Sequence, residues 1–209
     1  MKKWFLIIGV LILFSCQNDQ KIVYTSAYNE GSIIIDNYRH YVNLNSKDFQ
    51  ELEEVKSNIN LSNIDNNLLA AAIFHATNIE RKKYNKPYFI HSDTLFVVAQ
   101  GHSNDMVGYN FFSHTSPVKE KRTPSDRFMK AGLETNRYFS ENIAKYPLKK
   151  GETYWSAAKR VVNGWMNSAR HRKNILNSRY RYLGCGVALV NSSETDWFVY
   201  YKSTQNFMD

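Results

Sequence analysis

The sequence predicts an α+β domain, and three observations carry that reading. Apolar residues recur at helical spacing in stretches spread between Asn66 and Asn167. Two strand-like runs then close the chain, Tyr182 to Val190 and Trp197 to Ser203, joined by the turn-like segment Asn191 to Asp196. Helices come first and strands last, so the helices must bury their apolar stripes against a small sheet.

Each element has a local cause. The first helix of the domain runs from Asn66 through Tyr84, with Leu69, Ala72, Ile73, Ala76 and Ile79 on its stripe, until Asn85-Lys86-Pro87 breaks it. Ser92 caps a second helix carrying Leu95, Val98, Ala99, His102 and Met106. Thr123-Pro124 starts a third, with Gly132 just past its end. A fourth runs from about Thr153 to Asn167 with Trp155, Ala158, Val161, Val162 and Trp165 inward, and Tyr138 to Ala144 can add a strand.

The segments before the domain point outside the cell. Lys2 and Lys3 precede an apolar run from Trp4 to Phe14, too short at ~1.5 Å per residue to cross a hydrocarbon core of about 30 Å. It has the length of a signal-peptide core. Leu13-Phe14-Ser15-Cys16 resembles a bacterial lipobox, although Phe14 stands where a small residue is usual. The expected organisation is a signal peptide over 1–15, a tether and N-terminal extension over 16–64 that begins at a lipidated Cys16, and the domain over 65–209. An ordinary secretory signal with a chance cysteine is the alternative. Multiple acyl chains at Cys16 would give stable membrane attachment. The expected location is the bacterial envelope, on the outer or the cytoplasmic membrane. Within the extension, Asp48 to Ile59 is a weak helical run and Ile33-Ile34-Ile35 the only apolar stretch.

Only Cys16 and Cys185 occur, so with Cys16 acylated no internal disulfide can form and the core alone must hold the fold. Cys185 lies in the apolar run Leu183-Gly184-Cys185-Gly186-Val187 and reads as a small core residue. The net charge of +8 is scattered over Lys and Arg groups with no nucleic-acid-binding motif. A basic surface beside anionic lipid or wall polymer is the expected reading, with no nucleic-acid partner.

The chemistry-bearing residues are His114, Glu141 and His171. They lie in a series of motifs: Asn78-Ile79-Glu80-Arg81, Ala99-x-x-His102-Ser103-x-Asp105-Met106, Phe111-Phe112-Ser113-His114 and Asp126-Arg127. Glu141-Asn142-Ile143-Ala144, Trp165-Met166-x-Ser168 and His171-Arg172-x-Asn174-Ile175-Leu176 follow, then Leu183 to Val187 and Thr204-Gln205-Asn206-Phe207. In this order they resemble the bacterial branch of the CAP superfamily, which comprises the cysteine-rich secretory proteins, antigen 5 and the pathogenesis-related proteins. The resemblance covers roughly residues 66 to 207 and implies a three-layer α-β-α sandwich with a small antiparallel sheet and a central cleft.

It also implies a His–Glu–Glu–His tetrad, of which His114, Glu141 and His171 match and Ser168 stands in place of the second glutamate. Paired-carboxylate acid–base chemistry then loses one member. Two imidazoles and a carboxylate could hold Zn²⁺ through His114 and His171 with Glu141 as third ligand, but the helical histidine pair of metalloproteases is missing. The competing reading is a structural His–Glu–His network that ties the strand bearing Glu141 to the loops bearing His114 and His171. No Gly-x-Ser-x-Gly elbow supports serine hydrolysis.

His102 reads as a satisfied core histidine, His75 as a helix-edge residue, and His40 and His91 as exposed. Asn78 and Arg81 read as structural ties to loop carbonyls. Three functions remain open: a non-enzymatic module binding a lipid, sterol-like or cell-wall ligand through the His114–Glu141–His171 cleft with Ser168; a zinc-dependent hydrolase of peptide or peptidoglycan; and a structural or adhesive envelope protein.

Overall fold

The computed structural model describes residues 35–134, 136–190 and 199–209. Cys16, the apolar leader, Ile33, Ile34 and Trp197 lie outside them. The elements are α1 Ile35–Asn43, α2 Ser46–Glu51, α3 Glu53–Lys56, α4 Asn66–Lys83, β1 Ile90–His91 and α5 Asp93–Gly108. A 3₁₀ turn over Lys119–Lys121 follows, then α6 Pro124–Lys130, β2 Phe139–Pro147, α7 Tyr154–Asn167, α8 Ala169–Leu176, β3 Tyr182–Val190 and β4 Tyr200–Met208. Among the described residues no helix is long and apolar enough to cross a membrane.

The helix starts are set locally. Asp65 caps α4 through Leu68 N, and Ser92 caps α5 through Leu95 N. Thr123 with Asp126, and Thr153 with Ser156, close reciprocal capping boxes on α6 and α7. Pro124 sits at the first helical turn of α6, and Gly132 just past its end takes φ +77°, a left-handed conformation that glycine adopts without steric cost.

One four-stranded sheet, in order β1-β3-β4-β2, forms the middle layer. β4 pairs antiparallel with both β3 and β2, while the two-residue β1 runs parallel to β3. Helix α5 covers one face. A β-carbon at Gly184 would strike the backbone of Leu95 and Phe96, and one at Gly186 that of Ala99 and Gln100, so the Gly-x-Gly pattern of β3 exists to let α5 lie on it. Leu183, Cys185 and Val187 point to the opposite face and join the core formed with α4 and α7. Burial pushes the Cys185 thiol pKa well above its ordinary value, so it stays protonated and inert, as a core residue should. The layers are thus helix, sheet and helix.

Several expectations change in the structure. The closing strand expected over Trp197 to Ser203 is β4, Tyr200–Met208, and its middle, Lys202 to Asn206, is polar yet buried. Ser103 Oγ donates to Thr204 Oγ1 at 2.9 Å and Gln205 Nε2 to Thr77 Oγ1 at 2.7 Å, so hydrogen bonds replace hydrophobicity there. The helical run expected over Asp48 to Ile59 is two short helices, broken where Leu52 turns extended at ψ 133°. The segment bearing His171 is a helix, α8, and not a loop.

The extension shares the domain's core. Tyr38 is fully buried and stacks on Phe96 at 3.9 Å, while Phe49 stacks on His75 at 4.2 Å. His75 is not at a helix edge: it is buried between Ser46 Oγ (3.1 Å from Nδ1) and the Tyr41 carbonyl (2.9 Å from Nε2). His91, expected to be exposed, is partly buried and bonds Asp93 at 2.7 Å, and Asp93 also accepts from Arg39 at 2.8 Å. His40 is exposed, as expected. Asn78 exchanges two bonds with the Phe89 backbone, and buried Arg81 donates to the carbonyls of Pro87, Ile175 and Asn177, which ties α4 to α8.

Candidate functional site

Strand β2 presents consecutive residues to opposite faces of the sheet. Glu141 lies across from Asn206 and points to the α5 side, whereas Asn142 lies across from Gln205 and points to α8. The site is therefore assembled from both sides of one strand.

On the α5 side, Glu141 is almost completely buried and its carboxylate is saturated. Arg127 Nη2 donates to Oε1 at 2.9 Å and to Oε2 at 2.8 Å. His114 Nδ1 donates to Oε1 at 2.7 Å, and the Asn206 amide, turned to suit its neighbours, donates to Oε2 at 3.2 Å. Burial alone would raise the Glu141 pKa. The His114 bond, then the charge and hydrogen bonds of Arg127, outweigh it and hold the group below the usual carboxylate range. Because Nδ1 of His114 donates its hydrogen bond to this carboxylate, Nε2 is the ring nitrogen left facing away, on a side chain 46% exposed.

The sequence reading missed two members of this cluster. Arg127, fully buried on α6, also donates to the His114 carbonyl at 3.2 Å and the Lys121 carbonyl at 3.0 Å, so one guanidinium fixes both the glutamate and the loop bearing the histidine. His102, on α5, is fully buried. Its Nε2 donates to the Ser113 carbonyl at 3.0 Å and stands 3.8 Å from Glu141 Oε1, while its Nδ1 has no partner among the described residues. Burial drives its pKa down to about 4, so it is neutral at physiological pH. The available signal was the motif itself: Asp126-Arg127 and Ala99-x-x-His102 stood beside the tetrad motifs, with His102 read only as a core histidine.

On the α8 side, Asn142 Nδ2 donates to the His171 carbonyl at 3.4 Å, and Asn174 Nδ2 donates to Asn142 Oδ1 at 2.8 Å. The His171 imidazole is partly buried. Burial first, then the neighbouring His114 and Arg170, make its protonation harder. The two imidazoles thus feel each other, with Glu141 bonded to His114 alone of the pair. Ser168 ends α7 and begins α8; its side chain makes no capping bond, and its carbonyl accepts from Arg172 N at 2.8 Å.

The outer edge of β2 is closed by α7. Trp165 Nε1 donates to the Ile143 carbonyl at 3.0 Å and Arg160 Nη2 reaches the Pro147 carbonyl at 2.5 Å. A family model now decides the relationship: the cysteine-rich secretory protein family, CAP, matches residues 74–202. This chain belongs to the CAP family.

Two bacterial proteins are similar to it in sequence. The CAP chain is 36% identical over 128 residues to the uncharacterized protein YkwD of Bacillus subtilis (strain 168), covering 61% of this chain and 45% of that protein. It is 36% identical over 115 residues to the uncharacterized membrane protein YlbC of the same organism, covering 55% and 30%. The chain therefore spans less than half the length of the curated relatives it matches. Among solved structures, an extracellular protein containing an SCP domain from Bacillus anthracis aligns at TM-score 0.52 and 35% identity, over 68% of this chain and 41% of that one. An outer surface protein from Borrelia burgdorferi aligns at TM-score 0.52 and 21% identity, over 70% and 96%, and shares the fold.

For a metal, the donor set of this CAP chain is thin. Glu141 already accepts from three residues and Ser168 offers no carboxylate. Among the described residues no group of three or more His, Cys, Asp or Glu is arranged to hold an ion. Two imidazoles alone fall short of the three protein ligands of a catalytic zinc site.

Proposed function

We propose that this protein is an exported, lipid-anchored CAP module of the bacterial envelope. It would bind an amphiphile or a glycan at the crevice between His114 and His171 without transforming it. The observation that carries the reading is the state of Glu141. A carboxylate held by Arg127, His114 and Asn206, with its pKa lowered, is a poor general base, since a base works best with a pKa near the operating pH. With serine at 168, no second carboxylate replaces it. What faces outward is the free Nε2 of His114 and the partly buried ring of His171, groups suited to hydrogen-bonding a hydroxyl, phosphate or carboxylate of a ligand. Export is supported by the leader sequence and by the extracellular and outer-surface proteins among the structural neighbours.

Native mass spectrometry of protein extracted from its own membrane tests the binding reading. A co-purifying amphiphile or glycan that is lost in a His114→Ala/His171→Ala variant is the expected result. A bare protein mass in both samples would overturn it. Zinc titration of the same pair separates the hydrolase alternative: stoichiometric uptake by the wild type and none by the variant would favour a metal site over a saturated, structural Glu141.

A further inference from the structure

The segment from Tyr109 to Arg122 joins α5 to α6 and leaves two large aromatic side chains in water, Tyr109 at 61% and Phe112 at 48% exposure. A loose loop could fold such groups inward, but this one is pinned along its length by buried polar side chains. Lys202, buried on β4, donates to the carbonyls of Met106 and Phe111 at 2.6 and 2.9 Å. His102 holds the Ser113 carbonyl, and Arg127 holds those of His114 and Lys121. Ser116 N–H closes the loop on the Arg122 carbonyl at 2.7 Å, and Lys121 pairs with Asp105 at 2.7 Å. Three buried cationic or imidazole side chains thus hold the aromatics outward on a fixed frame, so ordering them on binding costs little entropy.

The charges around them have one predominant sign. Lys119 and Arg122 on the loop are exposed, as is Lys145, which lies directly across β2–β4 from Lys202. Glu120 is the exposed acid among them, while Asp105 is paired with Lys121 and Asp126 is spent on its capping box. A pinned loop that exposes two aromatic rings together with Lys119 and Arg122 matches the chemistry of a bilayer interface: rings settle at headgroup depth and cations meet anionic lipid. We infer that this loop face is a docking surface for an anionic lipid bilayer. The inference goes beyond the crevice reading, since it needs no ligand between the two histidines. It relies on export only to bring a membrane within reach.

The test uses the chain from residue 16 with Cys16→Ser, which carries the whole described core and no acyl chain. It is sedimented with vesicles of phosphatidylcholine alone, and of phosphatidylcholine mixed with an equal amount of phosphatidylglycerol. Binding to the anionic vesicles, reversed by high salt, is expected. Tyr109→Ser/Phe112→Ser and Lys119→Glu/Arg122→Glu should each reduce it by about tenfold or more with unchanged melting temperature. His171→Ala should bind vesicles like the wild type, which keeps this surface distinct from the crevice. Equal partition to both vesicle types, or either double variant binding as well as the parent, would overturn the inference.

Discussion

Arg127 and Glu141 form a buried ion pair in which one guanidinium nitrogen reaches both carboxylate oxygens, at 2.9 and 2.8 Å. Both side chains are almost wholly removed from solvent. The glutamate that a tetrad reading would place in the chemistry is thus also a structural counter-ion.

That pairing predicts the outcome of neutralising either partner. Glu141→Gln strands the Arg127 charge in the interior, and breaking one side of a buried pair costs roughly 3–5 kcal/mol. In a chain of this size each kcal/mol moves the melting temperature by about 2–4 °C, so a fall of at least ~6 °C is expected by thermal denaturation. A shift within ~2 °C would show that the pair is dispensable for folding. Arg127→Met/Glu141→Gln should lose less than the sum of its single changes.

Acid should weaken the fold before any carboxylate is protonated. His75 and His102 have pKa values lowered by burial to about 4, against 6.5 when unfolded. The unfolded chain therefore takes up these protons first. The stability they contribute is complete above pH 6.5 and is lost as pH falls toward 4, by up to ~3 kcal/mol each. Glu141, held below its ordinary value of 4.5, adds its loss at still lower pH. Urea denaturation at pH 7 and pH 5 should show the decline, and His102→Gln should reduce it; equal midpoints at both pH values in the wild type would contradict it.

A methyl group should suffice to separate α5 from the sheet. Gly186→Ala places a β-carbon inside the backbone of Ala99 and Gln100, where no flexible side chain can yield. Overpacking of this kind costs 1–3 kcal/mol or more, so a loss of at least ~3 kcal/mol is expected in chemical denaturation. Gly108→Ala, where an added β-carbon meets nothing within 4 Å, is the control and should be close to neutral.

What could be read ahead of the structure follows from how local each cause is. Ser92 and Thr123 announce their helices because a cap acts on residues two or three positions away. The buried half of β4 was hidden because Thr204, Gln205 and Asn206 look like solvent-facing residues until Ser103, Thr77 and Glu141 are placed against them. His114 and Glu141 were legible as neighbours through the family pattern. Arg127 and His102 were not legible as their partners, since only the loop closed around Arg127 brings Ser113 and His114 to α5 and β2. Helix α8 went unseen because its start has no side-chain cap and its apolar content is slight.

Removing residues before Asn66 should damage the domain itself. Such a fragment keeps the region matched by the family model yet uncovers Phe96 and His75, which Tyr38 and Phe49 now cover. A lowered melting temperature with dye binding typical of exposed apolar surface is expected; a fragment as stable as the longer chain would show the extension to be ornamental.

The same arrangement sets how the domain would bear load. A pull on the N-terminus enters through α1, where Arg39 grips Asp93 and Tyr38 is wedged on Phe96. Those contacts lie on the helices, so α1 would peel away before any strand is strained. Tension on that end would therefore bare the Phe96 ring first, and the sheet would feel it only afterwards.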